Sequence, residues 1–334
     1  MKFGMETVHA QRAAVARWYC AVRARTVERL IFTATTGRSG TLTLSKTFAG
    51  IPGCCSLHEP SPVMNNEVLR AASFGNDPQL ERFYRTKLNH IMRAAAGHRY
   101  YLEANHLFIK TFIGHAAREF GNRMAVIHLV RPAIDVAMSI YRLQVLPGIG
   151  AGNRWWLDYR APLNRIRIAD ALDGDEFSHS FYKGLWYWFE IEARVEEWRR
   201  RLPGVPFVRF ETGWLNDPER LVALAAALGV AGDRRLIESQ IGVRENEKTQ
   251  EKLIAPLPPE EAVRMFEHFL ALLRQRYPAI VATRLEPHSS GVRGGATRPA
   301  PGPSPIGEAA YVPAPATAAV LGPADGSSLG SRHH

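Results

Sequence analysis

Apolar and polar positions follow two periods along this chain, and the elements they predict come in strand–helix order. Leu30-Ile31-Phe32-Thr33-Ala34-Thr35 is a short, β-rich apolar run that ends at Gly37, where a helix-compatible stretch begins and continues to Gly50 and Pro52. Cys54 to Leu57 reads as a second strand. Between Gln79 and Ala96, residues Leu80, Phe83, Tyr84, Leu88, Ile91 and Met92 fall close to a helical period, which predicts an amphipathic helix. Ala125 to Val130 has the continuous apolar character of a buried strand, and a helix is expected from Ala133 to Leu143. Leu185, Trp188, Ile191, Val195 and Trp198 share one helical face that ends before Pro203-Gly204. Val205 to Phe210 predicts a further strand. Asp217-Pro218 then opens a helix to Leu228-Gly229, with Asp at the N-cap and Pro at the first helical position.

Strands alternating with helices predict an α/β fold with a central, mostly parallel sheet flanked by helices. No internal repeat is visible. From about His288 the chain becomes a low-complexity run of Gly, Pro, Ala and Ser. That composition buries too little apolar surface to offset its ordering entropy, so a disordered tail is expected over 287–334. The run His9 to Glu28 mixes alanines, Val15, Trp18 and Tyr19 with arginines. It predicts a helical extension over 1–28, packed on a folded domain of 29–286 rather than anchored at a membrane surface.

Composition narrows the class. The 334 residues are 46% hydrophobic and 22% charged, enough for a sizeable core and incompatible with wholesale disorder. No apolar stretch reaches the roughly 18 residues of a membrane span, and no unbroken apolar segment near the start suggests a secretory signal. Cys20, Cys54 and Cys55 are too few for a disulfide scaffold, which favours a reducing cytoplasm. No Cys/His spacing resembles a zinc site, and His333-His334 close the low-complexity tail, so no metal is expected. There are 42 basic against 32 acidic residues, a formal charge of +10. Arg293, Arg298 and Arg332 against Glu308 and Asp325 leave the tail at +1, so +9 belongs to the rest. Such a field favours an anionic ligand, whether nucleic acid or a small polyanionic nucleotide.

Two segments give that anion a place. The first strand runs into Thr35-Thr36-Gly37-Arg38-Ser39-Gly40-Thr41 and then a helix. A glycine-containing turn at this junction converges backbone N–H groups and the positive helix end on one point. Arg38 adds a fixed charge, Ser39 and Thr41 add hydroxyls. The Walker spacing G-x-x-x-x-G-K-[ST] and the dinucleotide pattern G-x-G-x-x-G are both absent. The second segment is Arg131-Pro132-Ala133 through Ser139 to Arg142, at the carboxyl end of the buried strand, where open α/β sheets hold their ligands.

Together these segments resemble the cytosolic and Golgi sulfotransferase superfamily, whose donor is 3′-phosphoadenosine 5′-phosphosulfate. Thr36 to Thr41 with Leu44 looks like the family's 5′-phosphosulfate loop, and Ile127 to Arg142 looks like its 3′-phosphate segment, with Arg131, Asp135 and Ser139 in register. Arg209-Phe210-Glu211 through Asn216-Asp217-Pro218 to Leu228-Gly229 looks like its later strand–loop–helix, so the resemblance spans about Arg29 to Lys252. Three departures stand out. Arg38 holds a position that is often lysine, Pro132 directly follows Arg131, and Val243 to Lys248 replaces the glycine-rich arginine loop of many cytosolic members.

The resemblance implies a P-loop-containing nucleotide hydrolase-like sulfotransferase fold and transfer of a sulfuryl group to a hydroxyl or amine, without a metal. It assigns Gly37, Arg38, Ser39, Gly40, Thr41 and Leu42 to the donor's 5′ side, with Arg38 also stabilising the bridging oxygen. Arg131 and Ser139 fall on the 3′-phosphate. Asn246 and Lys248 would close over the nucleotide, and Lys110 would approach the donor sulfonate from the end of a strand. A catalytic base is implied in His58-Glu59-Pro60; Glu59 is preferred and His58 is the alternative. Trp155-Trp156, after Gly148, Gly150 and Gly152, suit a lid over an acceptor, which is a small molecule, carbohydrate or lipid.

Three rivals stand beside this reading. A P-loop kinase needs a Walker lysine and an acidic magnesium ligand, and neither is in register. A nucleic-acid-binding protein would suit the charge, but Arg12, Arg23, Arg25 and Arg199 to Arg201 are dispersed and form no helix-turn-helix or RNP signature, so no nucleic-acid partner is expected. A protein of the same fold that binds the nucleotide without catalysis is the third.

Overall fold

The computed structural model describes residues 26–75, 80–231, 234–241 and 254–282. The expected helix before residue 26, the tail, Asn246 and Lys248 lie outside the described residues. Five strands, β1 (Arg29–Ala34), β2 (Cys54–His58), β3 (Tyr100–Ala104), β4 (Met124–Val130) and β5 (Phe207–Glu211), form one sheet in the order β2-β3-β1-β4-β5. Every neighbouring pair is parallel. The helices are α1 (Thr41–Ala49), α2 (Asn66–Phe74), α3 (Leu80–Ala95), α4 (Phe108–Thr111), α5 (Ile113–Phe120), α6 (Ala133–Leu143) and α7 (Ala169–Asp173). They continue with α8 (Ser180–Arg201), α9 (Pro218–Ala227), α10 (Arg234–Ser239), α11 (Pro259–Arg276) and α12 (Pro278–Ala282).

The two-residue period of the strands divides the core into two layers. Leu30, Phe32 and Ala34 of β1 with Val126 and Val130 of β4 face one layer; Ile31 with Ala125, Ile127 and Leu129 face the other. β1, β3 and β4 are buried on both faces, whereas β2 and β5 are partly exposed edges. This is the burial expected of a parallel sheet covered on both sides.

Local chemistry sets the helix ends. The Asp217 side chain accepts from the amides of Glu219 and Arg220 at 3.0 and 3.1 Å, and Pro218 takes the first helical position, as the sequence predicts. α8 is buried on nearly all sides from Phe181 to Ile191, which explains its crowded aromatics as core. Gly184 lets α8 approach α6, because a Cβ there would lie 2.8 Å from the Ala137 Cα. The folded part begins before residue 29: Val27 is in the core, and the Glu28 amide donates to the Arg99 carbonyl at 2.8 Å.

The connections decide where a ligand fits. α1, leaving β1, packs Leu44 and Phe48 into one core layer; α6, leaving β4, packs Val136, Ala137 and Ile140 into the other. β1 and β4 are adjacent and their outgoing helices pack on opposite faces, so the carboxyl edge between them is where an open α/β sheet is expected to hold a ligand. No helix among the described residues is long and apolar enough to cross a membrane.

Candidate active site

The chain leaves β1 through a loop wound in the left-handed region. Gly37, Arg38 and Gly40 have φ of 81°, 57° and 80°. Glycine is the natural occupant of such positions, and at Gly40 a Cβ would also overlap the Leu215 side chain. Arg38 adopts the conformation as a non-glycine residue, which is strain held by its surroundings.

Those surroundings grip the loop by its carbonyls. Tyr187 donates its hydroxyl to Thr36 O at 2.8 Å, and the Ser39 and Thr36 hydroxyls both donate to Gly37 O at 2.9 Å. Arg131 Nη1 donates to Arg38 O at 2.8 Å, and Thr212 Oγ1 donates to Ser39 O at 3.0 Å. Four successive carbonyls are thus engaged by side chains. The first-turn amides of α1, which have no acceptor within the helix, follow directly. Peptides fixed in this way give a rigid anion cradle. At its entrance Thr35 Oγ1 is buried without a hydrogen-bond partner.

Two arginines meet beside the cradle. Arg38 Nε donates to Ser139 Oγ at 3.2 Å, joining residues 101 apart in sequence. Arg131, just before α6, lies 3.8 Å from Asp135 in the helix's first turn, and its carbonyl is fixed by Trp188 Nε1 at 2.8 Å. Burial, and then the charge of Arg131, lower the Arg38 guanidinium below its usual range; it nevertheless remains cationic. Adjacent like charges are relieved by an anion between them.

Across the loop stands a second cluster, from the ends of β2 and β3. Thr41 Oγ1 and His58 Nε2 share a hydrogen bond of 3.0 Å. Glu59 has a φ of 46°, and its amide donates to Ala104 O at 3.2 Å. Burial pushes its carboxyl above the usual range, Lys110 opposes the shift, and Glu103 adds to it. Glu59 Oε1 is 3.4 Å from Nε2 of His106. Beneath them Lys87 and Glu103 form a buried ion pair at 2.7 Å, and Lys87 also donates to Pro60 O at 3.0 Å.

The structure corrects the setting expected for Lys110. It lies within α4, not at a strand end, and is only 3% exposed. Its Nζ lies 2.7 Å from His106 Nδ1, 2.8 Å from Trp155 O and 2.9 Å from the Tyr187 hydroxyl. The strand before this stretch is β3, which ends at Ala104 and whose Glu103 disguises it in the sequence. Ser39 also differs from the expectation of a hydroxyl offered to a ligand: it is fully buried and donates to Gly37 O. Trp155-Trp156 follow a short 3-10 turn over Gly150–Arg154. Trp156 is buried against His106 and Tyr187, with its Nε1 lacking a hydrogen-bond partner, and Trp155 is partly buried.

Gly37, Arg38, Ser39, Gly40, Thr41, Arg131, Ser139, His58 and Glu59 thus come together at one edge of the sheet, and Leu42 follows in the first turn of α1. Sequence reasoning missed three supporting residues. Tyr187 looks like one more core aromatic, Thr212 carries no motif, and His106 follows a strand that its own polar residues hide. A separate cleft of about 400 Å³, lined by His128, Glu192, Arg199 and Arg209 among others, includes none of the loop residues. Among the described residues no cluster of three or more His, Cys, Asp or Glu side chains is placed to hold a metal ion.

No family model and no curated protein matches this chain. Solved structures do. Mouse sulfotransferase SULT7A1 complexed with PAP is 16% identical, covering 78% of this chain and 89% of that one, with a TM-score of 0.42. A sulfotransferase from Alicyclobacillus acidocaldarius is 17% identical, covering 74% and 94%, with a TM-score of 0.40. Retinol dehydratase in complex with androsterone and inactive cofactor PAP is 16% identical, covering 76% and 84%, with a TM-score of 0.36. Identities and TM-scores of this size leave the functional reading to the residues of the site. The chain is similar to sulfotransferases.

Proposed function

We propose that this chain is a sulfotransferase that uses 3′-phosphoadenosine 5′-phosphosulfate and acts on a hydroxyl or amine of a small-molecule, carbohydrate or lipid acceptor. The observation that carries the reading is the meeting of Arg38, Arg131 and Ser139 beside a loop whose carbonyls from Thr36 to Ser39 are held by hydrogen bonds. This gives two anion subsites side by side, one of amides and one of side chains. A ligand with phosphates on both the 5′ and 3′ sides of one ribose suits that pair. A single phosphate or a linear triphosphate fills only the first.

In this reading the amides from Gly37 to Leu42 hold the 5′ group, and Arg131 with Ser139 holds the 3′-phosphate. The bound donor supplies an activated sulfuryl group on a phosphate leaving group. Arg38 offsets the charge that grows on the bridging oxygen, the electrostatic contribution expected to dominate such transfers. Glu59 takes the acceptor's proton on its carboxylate; its half-buried position raises its basicity toward that task. His58 is engaged with Thr41 and orients the first turn of α1. Trp155 and Trp156 form the acceptor wall, a role supported by the unpartnered Trp156 Nε1. We assign the described chain from Val27 to the end of α12 to the catalytic domain. The free thiols of Cys54 and Cys55 favour a cytoplasmic setting.

The test is calorimetric titration with adenosine 3′,5′-bisphosphate, 5′-AMP and ATP. The bisphosphate should bind best, and Arg131→Ala should weaken it by about ten- to a hundredfold, the value of a charge-assisted hydrogen bond. Equal or absent binding of all three ligands would defeat the reading. A bisphosphate that binds with no transfer to any acceptor, and no effect of Glu59→Gln, would instead favour a nucleotide-binding protein of this fold.

A further inference from the structure

Lys110 is a deeply buried cation of the site, and its three polar contacts form a chain with a definite direction. Tyr187 has one hydroxyl hydrogen, and it goes to Thr36 O, so the Tyr187 oxygen accepts from Lys110. Trp155 O is a carbonyl and also accepts. Two of the Nζ hydrogens are therefore assigned. The remaining contact is with His106 Nδ1 at 2.7 Å, and the other face of that imidazole presents Nε2 to Glu59 Oε1 at 3.4 Å.

Two hydrogen assignments complete this set. In one, Lys110 is an ammonium that donates to Nδ1, His106 carries its proton on Nε2, and Glu59 is a carboxylate. In the other, Lys110 is a neutral amine that accepts from Nδ1–H, and Glu59 is a protonated acid facing Nε2. Burial, helped by Arg194 and opposed by Glu59, lowers the Lys110 ammonium well below its usual range and so leans toward the second; the geometry around both groups leans toward the first. Lys110 Nζ lies 5.5 Å and 5.3 Å from the ring centres of Trp156 and Tyr187, a placement that stabilises a cation. The Glu59 side chain keeps 26% of its surface exposed, so water can stabilise its charged form.

We propose that Lys110 is a positioning residue: its ammonium makes Nδ1 of His106 an acceptor, turns Nε2–H toward Glu59, and thereby leaves Glu59 as the proton acceptor of the pair. The proposal rests on the reading of Glu59 as the base. It explains why a histidine so close to that carboxylate does not compete with it. Nε2 is already protonated, and adding a proton to Nδ1 would set an imidazolium against the Lys110 ammonium. Burial, then Lys110, then His58 hold the imidazole well below its usual range, in keeping with a neutral ring. The charged and titratable groups facing this pair are Glu59 and His58 from the end of β2 and the turn after it, Glu103 from β3, and Arg194 from α8. The same ammonium ties Trp155 to the phosphate loop through Tyr187 and Thr36, so the acceptor wall, the base and the donor cradle share one anchor.

The test is long-range ¹H–¹⁵N NMR of the histidine side chains in the full ligand-free chain, with His106 assigned by its loss in His106→Gln. The expected result is a neutral ring protonated at Nε2. A ring protonated at Nδ1, or on both nitrogens at neutral pH, overturns the proposal. Lys110→Met should abolish the single tautomer, with the proton shared between the two nitrogens; an unchanged Nε2–H signal in a folded Lys110→Met protein also overturns it. Should that variant not fold, the wild-type spectrum alone decides. No nucleotide or acceptor enters the experiment, so failure of the bisphosphate titration would count against the sulfotransferase reading and not against this tautomer.

Discussion

Glu103→Leu should be among the most destabilising single substitutions in this chain, although it exchanges a charge for an apolar side chain of similar size in the core. Glu103 is fully buried, and three donors converge on it: Lys87 Nζ at 2.7 Å, the Tyr101 hydroxyl at 2.8 Å and Asn105 Nδ2 at 2.8 Å. At an effective dielectric constant of about 20, a pair at 2.7 Å attracts by about 6 kcal/mol, which the desolvation of two ions largely offsets. The intact pair therefore adds little net stability. Removing one partner strands the other: Lys87 would keep only the Pro60 carbonyl and the Phe112 ring it lies over, and two neutral donors would lose their acceptor. The expected cost is about 3–5 kcal/mol from the orphaned ammonium, a large share of a typical stability of about 5–15 kcal/mol. The double variant Lys87→Met, Glu103→Leu should recover about 2 kcal/mol or more of that loss. The assay is urea unfolding followed by both far-ultraviolet circular dichroism and tryptophan fluorescence, since coincident transitions license the free-energy comparison. A loss below about 1 kcal/mol for Glu103→Leu, or a double variant no more stable than the single one, would refute the reasoning.

Other consequences follow from the same geometry. Gly40→Ala should cost about 1–2 kcal/mol for its left-handed backbone, with more from the overlap with Leu215; it should also weaken bisphosphate binding, and thermal unfolding with calorimetry reads both. The raised Glu59 carboxyl means that ionising it opposes folding, so this penalty is absent below the unfolded value of 4.5 and grows as pH rises through the folded one. Glu59→Gln should therefore raise the melting temperature at pH 7 but not at pH 4. In the transfer assay it should also remove the fall in rate toward acid pH; a variant that melts lower at pH 7 would count against the assignment. Burial, with the neighbouring Cys55, pushes the Cys54 thiol up to about 12, and burial raises Cys55 too. In a Cys20→Ser background, both should react with iodoacetamide at pH 8 far more slowly in the folded than in the urea-unfolded protein, and equal rates would contradict the burial.

What the sequence determined by itself was local. Periodicity and end signals located β1, β2, β4, β5, α1, α3, α6, α8 and α9, through an apolar run, a helical repeat or an end signal such as Gly50 with Pro52 or Asp217-Pro218. β3 escaped, since Glu103 interrupts its apolar run for the sake of a buried polar network that only its neighbours reveal. The loop from Gly37 to Thr41 and the arginine at position 131 were legible because strand ends and glycines mark anion sites. Only the tertiary structure decided how they meet. With β1 and β4 adjacent and their helices departing to opposite faces, Arg38 reaches Ser139 across 101 residues. It also decided the roles of Tyr187, Thr212 and Lys110. Nothing in an aromatic, a threonine or a lysine announces that it will hold a loop carbonyl or a histidine. Such roles depend on which hydrogen-bonding atoms burial leaves within reach of one another, and that is fixed by packing rather than by spacing along the chain.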